Sequence, residues 1–333
     1  MIEDKTIMKA LIVGAGSIGS RRARILKSLG HDVTVCDSDT NAAVTLGAQM
    51  GWCISNSKNI YFDSKTAIES EKFDVVLTCT PPETHLDIAL QAAQAGCHLF
   101  IEKPLSNMLN KAKVKQLVEA MQVNGCIGIM GQSYRFLPSL RDFCKLIRGK
   151  QIVSASIVSG QNLDDWWKDT KGKDTPYAKQ GVIEVSLAHS LDTAQWLFGG
   201  IEHLIALGSC TQTFDDRAPD LATVLLRMTN GAQVMITNDF LSHPRRDHIQ
   251  AVTIDGEVFN WDLGIVNLYS DTNVMYECEM RHLMRCVENK YQGQPDLSQG
   301  ILNLELTDLV KESIEQGRFL KPRNVWKEVT GRK

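Results

Sequence analysis

Three glycines at a fixed spacing follow the first apolar run of the chain. The segment VGAGSIG places Gly14, Gly16 and Gly19 in the arrangement G-x-G-x-x-G, between a strand-like run and a helix-like pattern. The first glycine allows a tight turn, the second lets a pyrophosphate approach the backbone, and the third lets helix and strand pack closely. N–H groups at the helix start, where Ser17 and Ile18 lie, can hold phosphates. The motif predicts a dinucleotide-binding loop, with a tight turn that binds nothing as the alternative.

An acidic residue ends the second apolar run, HDVTVCD. This residue, Asp37, lies 18 residues after Gly19. A carboxylate at this place can accept hydrogen bonds from both ribose hydroxyl groups of an adenosine, and it repels a 2′-phosphate. Asp37 therefore favours NAD over NADP as the cofactor. Ser38, Arg21 and Arg22 can accommodate a phosphate instead, so NADP stays the alternative.

A third loop is expected at the same edge of the sheet. The segment TCTPPETH, residues 78–85, ends another strand-like run. Ligands of open α/β sheets bind outside the carboxyl ends of the strands. Thr80 and Pro81 are therefore expected to line the cofactor cleft, and His85 is counted with them. An ordinary strand–turn–helix connection is compatible with the same residues.

The elements that must position these groups are read from the apolar pattern. Up to residue 131, short apolar runs alternate with amphipathic helical patterns. Continuous apolar runs suit parallel strands that are covered on both faces, and their alternation with helices predicts βαβ units. We therefore expect a Rossmann domain with a doubly wound parallel sheet over residues 1–131.

The pattern changes after about residue 132. Runs such as QIVSASIVSG alternate apolar and polar residues, as a half-solvated antiparallel strand does. One helix is expected near 181–197, and two more, near 276–290 and 300–317, close the chain. We expect residues 132–333 to form an α+β domain for substrate binding and oligomerisation, built on a mainly antiparallel open sheet. Its terminal helices are able to pack back on the first domain.

Composition argues against several classes of function. The 333 residues are 43% hydrophobic, and a net charge of −3 gives no general attraction to nucleic acid or to an anionic membrane. The basic pairs Arg21-Arg22 and Arg245-Arg246 are interpreted as solvated positions. No apolar run approaches the roughly 18 residues that span a bilayer. Nine cysteines without a C-x-x-C pair, and the lack of clustered metal ligands, predict a reduced cytoplasmic protein without a metal.

Several motifs together resemble those of one enzyme family. The glycine motif, TPPETH and EKPLS occur in the order and spacing of the Gfo/Idh/MocA family, the glucose–fructose oxidoreductase and inositol dehydrogenase group. The resemblance continues through GQSYRFLPSL and QGVIEVSLAHSLDTAQWLFG to the terminal helices. It implies hydride transfer between a nicotinamide and a carbinol carbon of a sugar, nucleotide-sugar or polyol, by a homodimer or homotetramer. Within the family the chain looks closest to enzymes of polysaccharide pathways.

The resemblance assigns proton transfer to the lysine of the E-K-P motif, which is Lys103 here. Beside the expected nicotinamide position, its ammonium group can hydrogen-bond a substrate hydroxyl and take or relay its proton. Glu102 is expected to hold nearby ribose or backbone groups. Pro104 fixes the backbone, and in the family the bond before it is commonly cis. A surface salt bridge at the strand end is the alternative for Glu102 and Lys103.

The second catalytic position of the family corresponds to His189, which can act as a general acid or base near neutral pH. Many relatives carry an aspartate four residues earlier, where this chain has Val185, and others an acidic residue three earlier, where it has Ser186. Glu184, five residues back, points away on an ideal helix. Asp192 lies on the same side as His189 and is counted as a substrate candidate. The catalytic set therefore departs from the family norm.

Other candidate substrate residues come from two further segments. Tyr134 and Arg135, in GQSYRFLP, match a family segment near the substrate, and an arginine can donate to carboxylates, phosphates or sugar hydroxyls. An interdomain salt bridge is the alternative for Arg135. Trp166, with Trp167 and Tyr177, can form a sugar-stacking wall or an oligomer contact.

Two other classes of function stay open. Val185 motivates a catalytically altered NAD(P)-binding regulatory protein that has lost turnover. The altered acidic position also permits a reductase of a non-sugar ketone or an imine. Intact Lys103 and His189 favour the dehydrogenase.

Overall fold

The computed structural model describes residues 6–53, 58–163, 180–211, 218–263 and 268–331, without the side chains of residues 268–272. The chain divides into two compact units. The first contains Met1–Gln132, Tyr276–Ile301 and Val325–Lys333, and the second contains Ser133–Met275 and Leu302–Asn324. Segments from the end of the chain therefore complete the first unit.

The first unit is built on a parallel sheet. Its strands are β1 (Lys9–Val13), β2 (Asp32–Cys36), β3 (Ile60–Tyr61), β4 (Val75–Thr78), β5 (His98–Glu102) and β6 (Gly128–Gly131). They lie in the order β3-β2-β1-β4-β5-β6 and all pair in parallel. This is the strand order of the dinucleotide-binding fold, so the expected doubly wound sheet is confirmed. The short strand β3 is not marked by an apolar run in the sequence.

Helices cover both faces of this parallel sheet. Further helices belong to the second unit. The described α-helices are α1 (Ser17–Ser28), α2 (Thr40–Gln49), α3 (Ser64–Ser70), α4 (Pro82–Gln94), α5 (Lys111–Asn124), α6 (Pro138–Ile147), α7 (Ala188–Phe198), α8 (Leu268–Glu288), α9 (Leu297–Gln316) and α10 (Val325–Thr330). Side chains of β1 point alternately to the two faces. Leu11 and Val13 join a buried cluster with α3, α4 and α5, whereas Ala10 and Ile12 join one with α1, α2 and α8. Covering on both faces explains the continuous apolar runs.

The second unit is built on a mainly antiparallel sheet, as expected. Its strands are β7 (Ile152–Gly160), β8 (Ile201–Ser209), β9 (Leu221–Met228), β10 (Gln233–Asp239), β11 (Arg246–Thr253) and β12 (Val258–Asp262). They lie in the order β12-β11-β7-β10-β9-β8, and only the β7–β10 pair is parallel among these strands. Helix α7 packs against β7 and β10 on one face. The opposite face carries exposed apolar side chains, including Leu207, Leu225 and Met235.

Candidate active site

The glycine loop connects β1 to α1, and its glycines lack side chains for different reasons. Gly14 has a φ of +106°, and a Cβ there would lie 2.5 Å from the carbonyl oxygen of Cys79. A Cβ on Gly19 would overlap the carbonyl oxygen of Gly14. A Cβ on Gly16 would have no described atom within 4 Å. Packing therefore requires Gly14 and Gly19, whereas Gly16 faces open space, as close approach of a ligand requires.

The start of α1 has the features of a phosphate site. The helix begins at Ser17, and its N-cap residue, Gly16, makes no side-chain bond to the first N–H groups. Because Gly16 and Ser17 are exposed and Ile18 is half-buried, these N–H groups and the positive end of the helix are accessible to an anion. A cavity of about 460 Å³ adjoins them, and Arg21 and Asp39 are among its lining residues. This volume is in the range of cofactor sites.

Asp37 follows β2 directly and is held by backbone N–H groups. Its Oδ2 accepts from the N–H of Ala15 in the glycine loop at 2.6 Å, and its Oδ1 accepts from the N–H of Asp39 at 2.9 Å. Asp39 in turn caps α2 by accepting from the N–H of Asn41 at 2.9 Å. The loop and two carboxylates therefore lie together. This arrangement suits ribose hydroxyl groups and disfavours a 2′-phosphate.

Arg22 is not available for a phosphate, and its interpretation as a solvated residue is wrong. Its side chain is fully buried on α1, and its guanidinium lies 4.2 Å from the ring centroid of Phe100. The Nε group donates to Glu102 at 2.6 Å, and Nη1 donates to Glu279 of α8 at 2.9 Å. Two carboxylates thus share one buried cation. Arg21, in contrast, lines the cavity and lies over the ring of Tyr276.

The buried cluster Arg22–Glu102–Glu279 contains one guanidinium group and two carboxyl groups. Burial raises the pKa of the Glu279 carboxyl to about 7, against the opposing effect of Arg22. Burial by itself would lower the pKa of the Arg22 guanidinium, but the two carboxylates raise it. The Oε1 atom of Glu279 has no hydrogen-bond partner among the described residues. Glu279 therefore favours its protonated form more than an ordinary carboxyl group does.

Lys103 follows β5 directly, at the carboxyl end of the strand. The Lys103–Pro104 peptide bond is cis, as the resemblance implies. The backbone N–H of Lys103 donates to Oε2 of Glu102 at 3.2 Å, so Glu102 holds a backbone group. Burial lowers the pKa of the Lys103 ammonium, and the Glu102 carboxylate opposes this shift. A lowered pKa makes the neutral amine, which is the form that accepts a proton, easier to populate.

His85 supports the strand ends instead of presenting its ring to the surface. The side chain is 1% exposed. Its Nδ1 lies 2.8 Å from the carbonyl oxygen of Pro104, and its Nε2 lies 2.7 Å from the carbonyl oxygen of Thr80. His85 therefore ties the loop after β4 to the turn after β5. Thr80 is half-buried and Pro81 is exposed, and their contact with a cofactor stays a prediction.

In the second unit, His189 belongs to a polar network that the sequence did not reveal. The ring of Tyr134 stacks on the ring of His189, with centroids 4.9 Å apart. Arg245 donates to the Tyr134 hydroxyl at 2.9 Å and to Asp247 at 2.6 Å. Ser159 of β7 also donates to Asp247, at 2.5 Å. Arg245 is therefore not the solvated residue that was expected, and the alternation of Arg245 and Asp247 at a strand start was the available signal.

Arg135 and Asp192 satisfy each other. Arg135 donates from Nε at 2.8 Å and from Nη2 at 2.7 Å, and the two side chains are 8% and 2% exposed. Burial raises the pKa of Asp192, and the Arg135 guanidinium opposes this shift. The ion pair lies within the second unit. Each side chain therefore has the other as its partner, and contact of either residue with a substrate stays a prediction.

The helix expected at 181–197 contains a π-helical segment, Ile183–Leu187, which continues into α7. Hydrogen bonds from i to i+5 change which residues share a face, so the ideal-helix argument for Glu184 does not apply. The Glu184 carboxylate accepts a hydrogen bond from Nζ of Lys311 at 2.5 Å. Val185 is buried, and the Ser186 hydroxyl accepts from Nδ2 of Asn238 at 2.7 Å. A neutral serine–asparagine pair thus stands where relatives are expected to carry an acidic residue.

The aromatic residues considered for a sugar-stacking wall lie outside the described residues; they are Trp166, Trp167 and Tyr177. Within the described ranges, no three His, Cys, Asp or Glu side chains form a group that could hold a metal ion. The helices in the same ranges include none that is long and apolar enough to cross a membrane.

Two family models match the chain. Residues 8–132 match the model described as "Oxidoreductase family, NAD-binding Rossmann fold", and residues 144–258 match the "GFO/IDH/MocA C-terminal domain". The first match ends one residue beyond the boundary expected at residue 131, and the second lies within residues 132–333.

Two dehydrogenases and one crystal structure are similar to this chain over nearly its whole length. A myo-inositol 2-dehydrogenase of Thermotoga maritima is 26% identical over 96% of this chain and 99% of its own length. A D-glucoside 3-dehydrogenase of Escherichia coli is 22% identical, over 93% of this chain and 96% of its own. The crystal structure of a myo-inositol 2-dehydrogenase from Lactobacillus plantarum covers 96% of this chain and 100% of its own at a TM-score of 0.82, with 19% identity. This last likeness concerns the fold.

Proposed function

Because the chain belongs to the Gfo/Idh/MocA family of oxidoreductases, we propose that it is an NAD-dependent dehydrogenase or reductase acting on the CH–OH group of a sugar, nucleotide-sugar or polyol. The observation that carries the proposal lies in the first unit. There the accessible helix start at Gly16 lines a cavity, and the carboxylate of Asp37 is fixed by the N–H of Ala15, which lines the same cavity. The next strands of the sheet, β4 and β5, end at Thr78 and Glu102, shortly before Thr80 and Lys103.

The residues of the first unit fit the dinucleotide. Gly14, Gly16 and Gly19 shape the loop, and the N–H groups at the start of α1 would hold the pyrophosphate. Asp37 would accept hydrogen bonds from the adenosine ribose. The buried position of Arg22 removes one of the cations considered for NADP. Bound NAD supplies the hydride chemistry, and the chain supplies binding, orientation and proton transfer.

In the direction of oxidation, the proton of the substrate hydroxyl passes to the amine of Lys103. Bound NAD would accept the hydride of the carbon that carries this hydroxyl, so that loss of the proton to Lys103 would leave a carbonyl. Lys103 acts best when neutral, and burial lowers its pKa toward that form. His189 is proposed as the second acid–base group. Glu102 acts as a positioning residue, because its carboxylate holds the backbone of Lys103.

The regulatory alternative rests on the altered acidic position. Val185 is buried, and Glu184 is engaged by Lys311. A protein with this replacement can bind NAD and lack turnover. Measurable oxidation or reduction of any sugar or polyol excludes this alternative.

Cofactor binding followed by turnover tests the proposal. NADH fluorescence is expected to report saturable binding, with a Kd at least tenfold lower than that for NADPH. A panel of sugars, polyols and nucleotide-sugars with NAD is then expected to give NADH absorbance for at least one member. Clear preference for NADPH contradicts the cofactor assignment, and NADH binding without turnover of the panel contradicts the enzyme assignment.

We also propose a cytoplasmic homodimer or homotetramer. Scattered cysteines without paired spacing are typical of reducing compartments. The exposed apolar side chains on one face of the second sheet, including Leu207, Leu225 and Met235, support self-association.

A further inference from the structure

In the second unit, two neighbouring arginines bind carboxylates that are more deeply buried than the guanidinium groups. Arg245 keeps 24% of its side chain exposed, whereas its partner Asp247 keeps 3%. The neighbouring Arg246 keeps 55% exposed, and its partner Asp239 keeps 3%. The acidic members of both pairs are therefore shielded, and the basic members are accessible.

Both carboxylates also accept hydrogen bonds within the fold. Asp247 accepts from Arg245 and from Ser159. Asp239 accepts from Arg246 at 2.8 Å, from the Ser242 hydroxyl at 3.0 Å and from the N–H groups of Leu241 and Ser242 at 3.0 and 2.7 Å. Substrate hydroxyl groups therefore meet few acceptors from these side chains. The accessible groups are donors.

Arg245 is held in a fixed orientation with donors to spare. Its Nε donates to Asp247 and its Nη2 donates to the Tyr134 hydroxyl, so two of its three nitrogens are held by partners within the fold. Its Nη1 has no hydrogen-bond acceptor among the described residues, and a guanidinium carries five N–H donors in all. A guanidinium fixed in this way is prepared for an oxyanion, because little side-chain entropy is left to lose.

Tyr134 connects this guanidinium to the proposed acid–base group. Its hydroxyl bonds Arg245, while its ring stacks on His189. The position four residues before His189 carries neutral Val185, and the position three before it carries Ser186, which is bonded to Asn238. A carboxylate at either place would repel an anion near His189. The neutral residues at these two positions and the fixed guanidinium of Arg245 therefore both favour an anionic ligand.

Resting on the proposed function, we propose that the substrate is a sugar or polyol that carries an oxyanion, and that Arg245 binds this group. A carboxylate and a phosphate share the chemistry that Arg245 recognises. A sugar acid and a sugar phosphate are therefore the two sources to distinguish.

Matched sugars test the proposal with the native protein and NAD. Glucose, glucuronate and glucose 6-phosphate form one set, and galactose, galacturonate and galactose 6-phosphate form a second. Thermal shift of the NAD-loaded protein reports binding, and NADH absorbance reports turnover. At least one anionic member is expected to bind and to react with a kcat/KM at least tenfold above its neutral partner. Its identity decides between carboxylate and phosphate.

Variants of Arg245 separate recognition from folding. Arg245→Met is expected to raise KM for the preferred anionic sugar at least tenfold, with a smaller change in kcat. Because this change leaves Asp247 buried without its partner, the double variant Arg245→Met/Asp247→Asn is measured beside it. Arg245→Lys keeps the charge without the fork and is expected to restore part of the affinity. Arg281→Met, an exposed position on α8, is the matched control.

The outcomes separate this inference from the proposed function. If neutral sugars react as well as their anionic partners, or if the folded double variant keeps the wild-type KM for the anionic sugar, the inference is wrong while the enzyme assignment stands. If NADH binds and no member of either set or of the wider panel reacts, the enzyme assignment fails, and the inference with it.

Discussion

The backbone of Lys103 is held by a series of hydrogen bonds that links four residues of the first unit. Its backbone N–H is held by Glu102, whose carboxylate is held by Arg22, and Arg22 is held again by Glu279. On the other side of the turn, His85 contacts the carbonyl of Pro104. Such contacts limit the positions that the lysine backbone can adopt. The E-K-P motif thus contributes both the lysine and part of its support.

Replacement of Lys103 tests its role as the base. Lys103→Met is expected to lower kcat about 10²–10⁴-fold, the usual contribution of general acid–base catalysis. The Kd for NADH is expected to change little. Because the pKa of Lys103 is lowered from 10.5, wild-type kcat/KM for oxidation should rise with pH and level off below pH 10.5. This rise should be absent from residual activity of the variant.

Lys115→Met is the control, because Lys115 is an exposed lysine of α5. Turnover and its pH dependence are expected to stay at wild-type values there. Undiminished turnover by Lys103→Met would remove the lysine from the mechanism.

Glu279 is expected to make stability depend on pH. Its folded pKa, about 7, lies above the usual 4.5, so the folded protein binds more protons than the unfolded chain between these values. The free energy of unfolding therefore falls as pH rises through this window. Glu279→Gln cannot titrate and keeps an oxygen acceptor for Arg22. Relative to the variant, the wild type is expected to lose on the order of 1–3 kcal/mol between pH 5 and pH 8.

Urea unfolding at pH 5, 6, 7 and 8 measures this difference. Asp192 and Asp247 also have raised pKa values, but they titrate in both proteins and cancel in the comparison. Glu277→Gln, at an exposed position two residues earlier in α8, is expected to follow the wild type. Parallel curves for wild type and Glu279→Gln would show that Glu279 does not titrate differently in the folded protein.

At the scale of elements, the loop between β1 and α1 allows a matched pair of substitutions. A Cβ on Gly19 overlaps the carbonyl oxygen of Gly14, whereas a Cβ on Gly16 meets no described atom within 4 Å. Gly19→Ala is therefore expected to lower Tm by several degrees, because overpacking costs about 1–3 kcal/mol. Gly16→Ala is expected to keep the wild-type Tm and to weaken NADH binding at least tenfold. Thermal unfolding without cofactor and NADH titration separate the two effects; wild-type NADH affinity in Gly16→Ala would contradict the assigned pyrophosphate position.

Elements differ in how well the sequence predicts them, and the reason is physical. The glycine loop and Asp37 are predictable because the local backbone and the ligand together restrict each residue type. The π-helix before His189 is not, because inserting a residue into a helical turn leaves the apolar pattern nearly unchanged. Likewise β3 consists only of Ile60–Tyr61, which is too short to form a pattern. Local rules identify long periodic elements, and they miss single-residue shifts in register.

At the scale of the whole molecule, contacts between distant parts of the sequence hold the candidate residues in place within each unit. Arg22 and Glu279 are separated by 257 positions, and Tyr134 and Arg245 by 111. In each case an arginine that stands beside a second arginine was interpreted as solvated. Only the tertiary structure brings a carboxylate or a phenol to these guanidinium groups. The motifs were therefore sufficient to predict the reaction class, whereas the residues that support the site could be identified only from the tertiary structure.

Self-association is expected through the exposed face of the second sheet. Cross-strand pairing places Met235 beside Leu225, and Leu225 beside Ile205, so that an apolar row crosses three strands. Met235 is 45% exposed and Leu225 is 42% exposed, and nearby Leu207 is 72% exposed. Contiguous apolar surface of this kind marks a protein interface. A carboxylate placed in such an interface would be buried without a partner.

Met235→Glu is therefore expected to reduce the mass measured by light scattering from that of a dimer or tetramer to that of a smaller species, with Tm and circular dichroism otherwise near wild type. Val123→Glu on α5 is the matched control, because Val123 is an apolar residue with 84% exposure on the first unit. That variant should keep the wild-type mass. A monomeric wild type, or a Met235→Glu variant with unchanged mass, would exclude this face of the sheet as the interface.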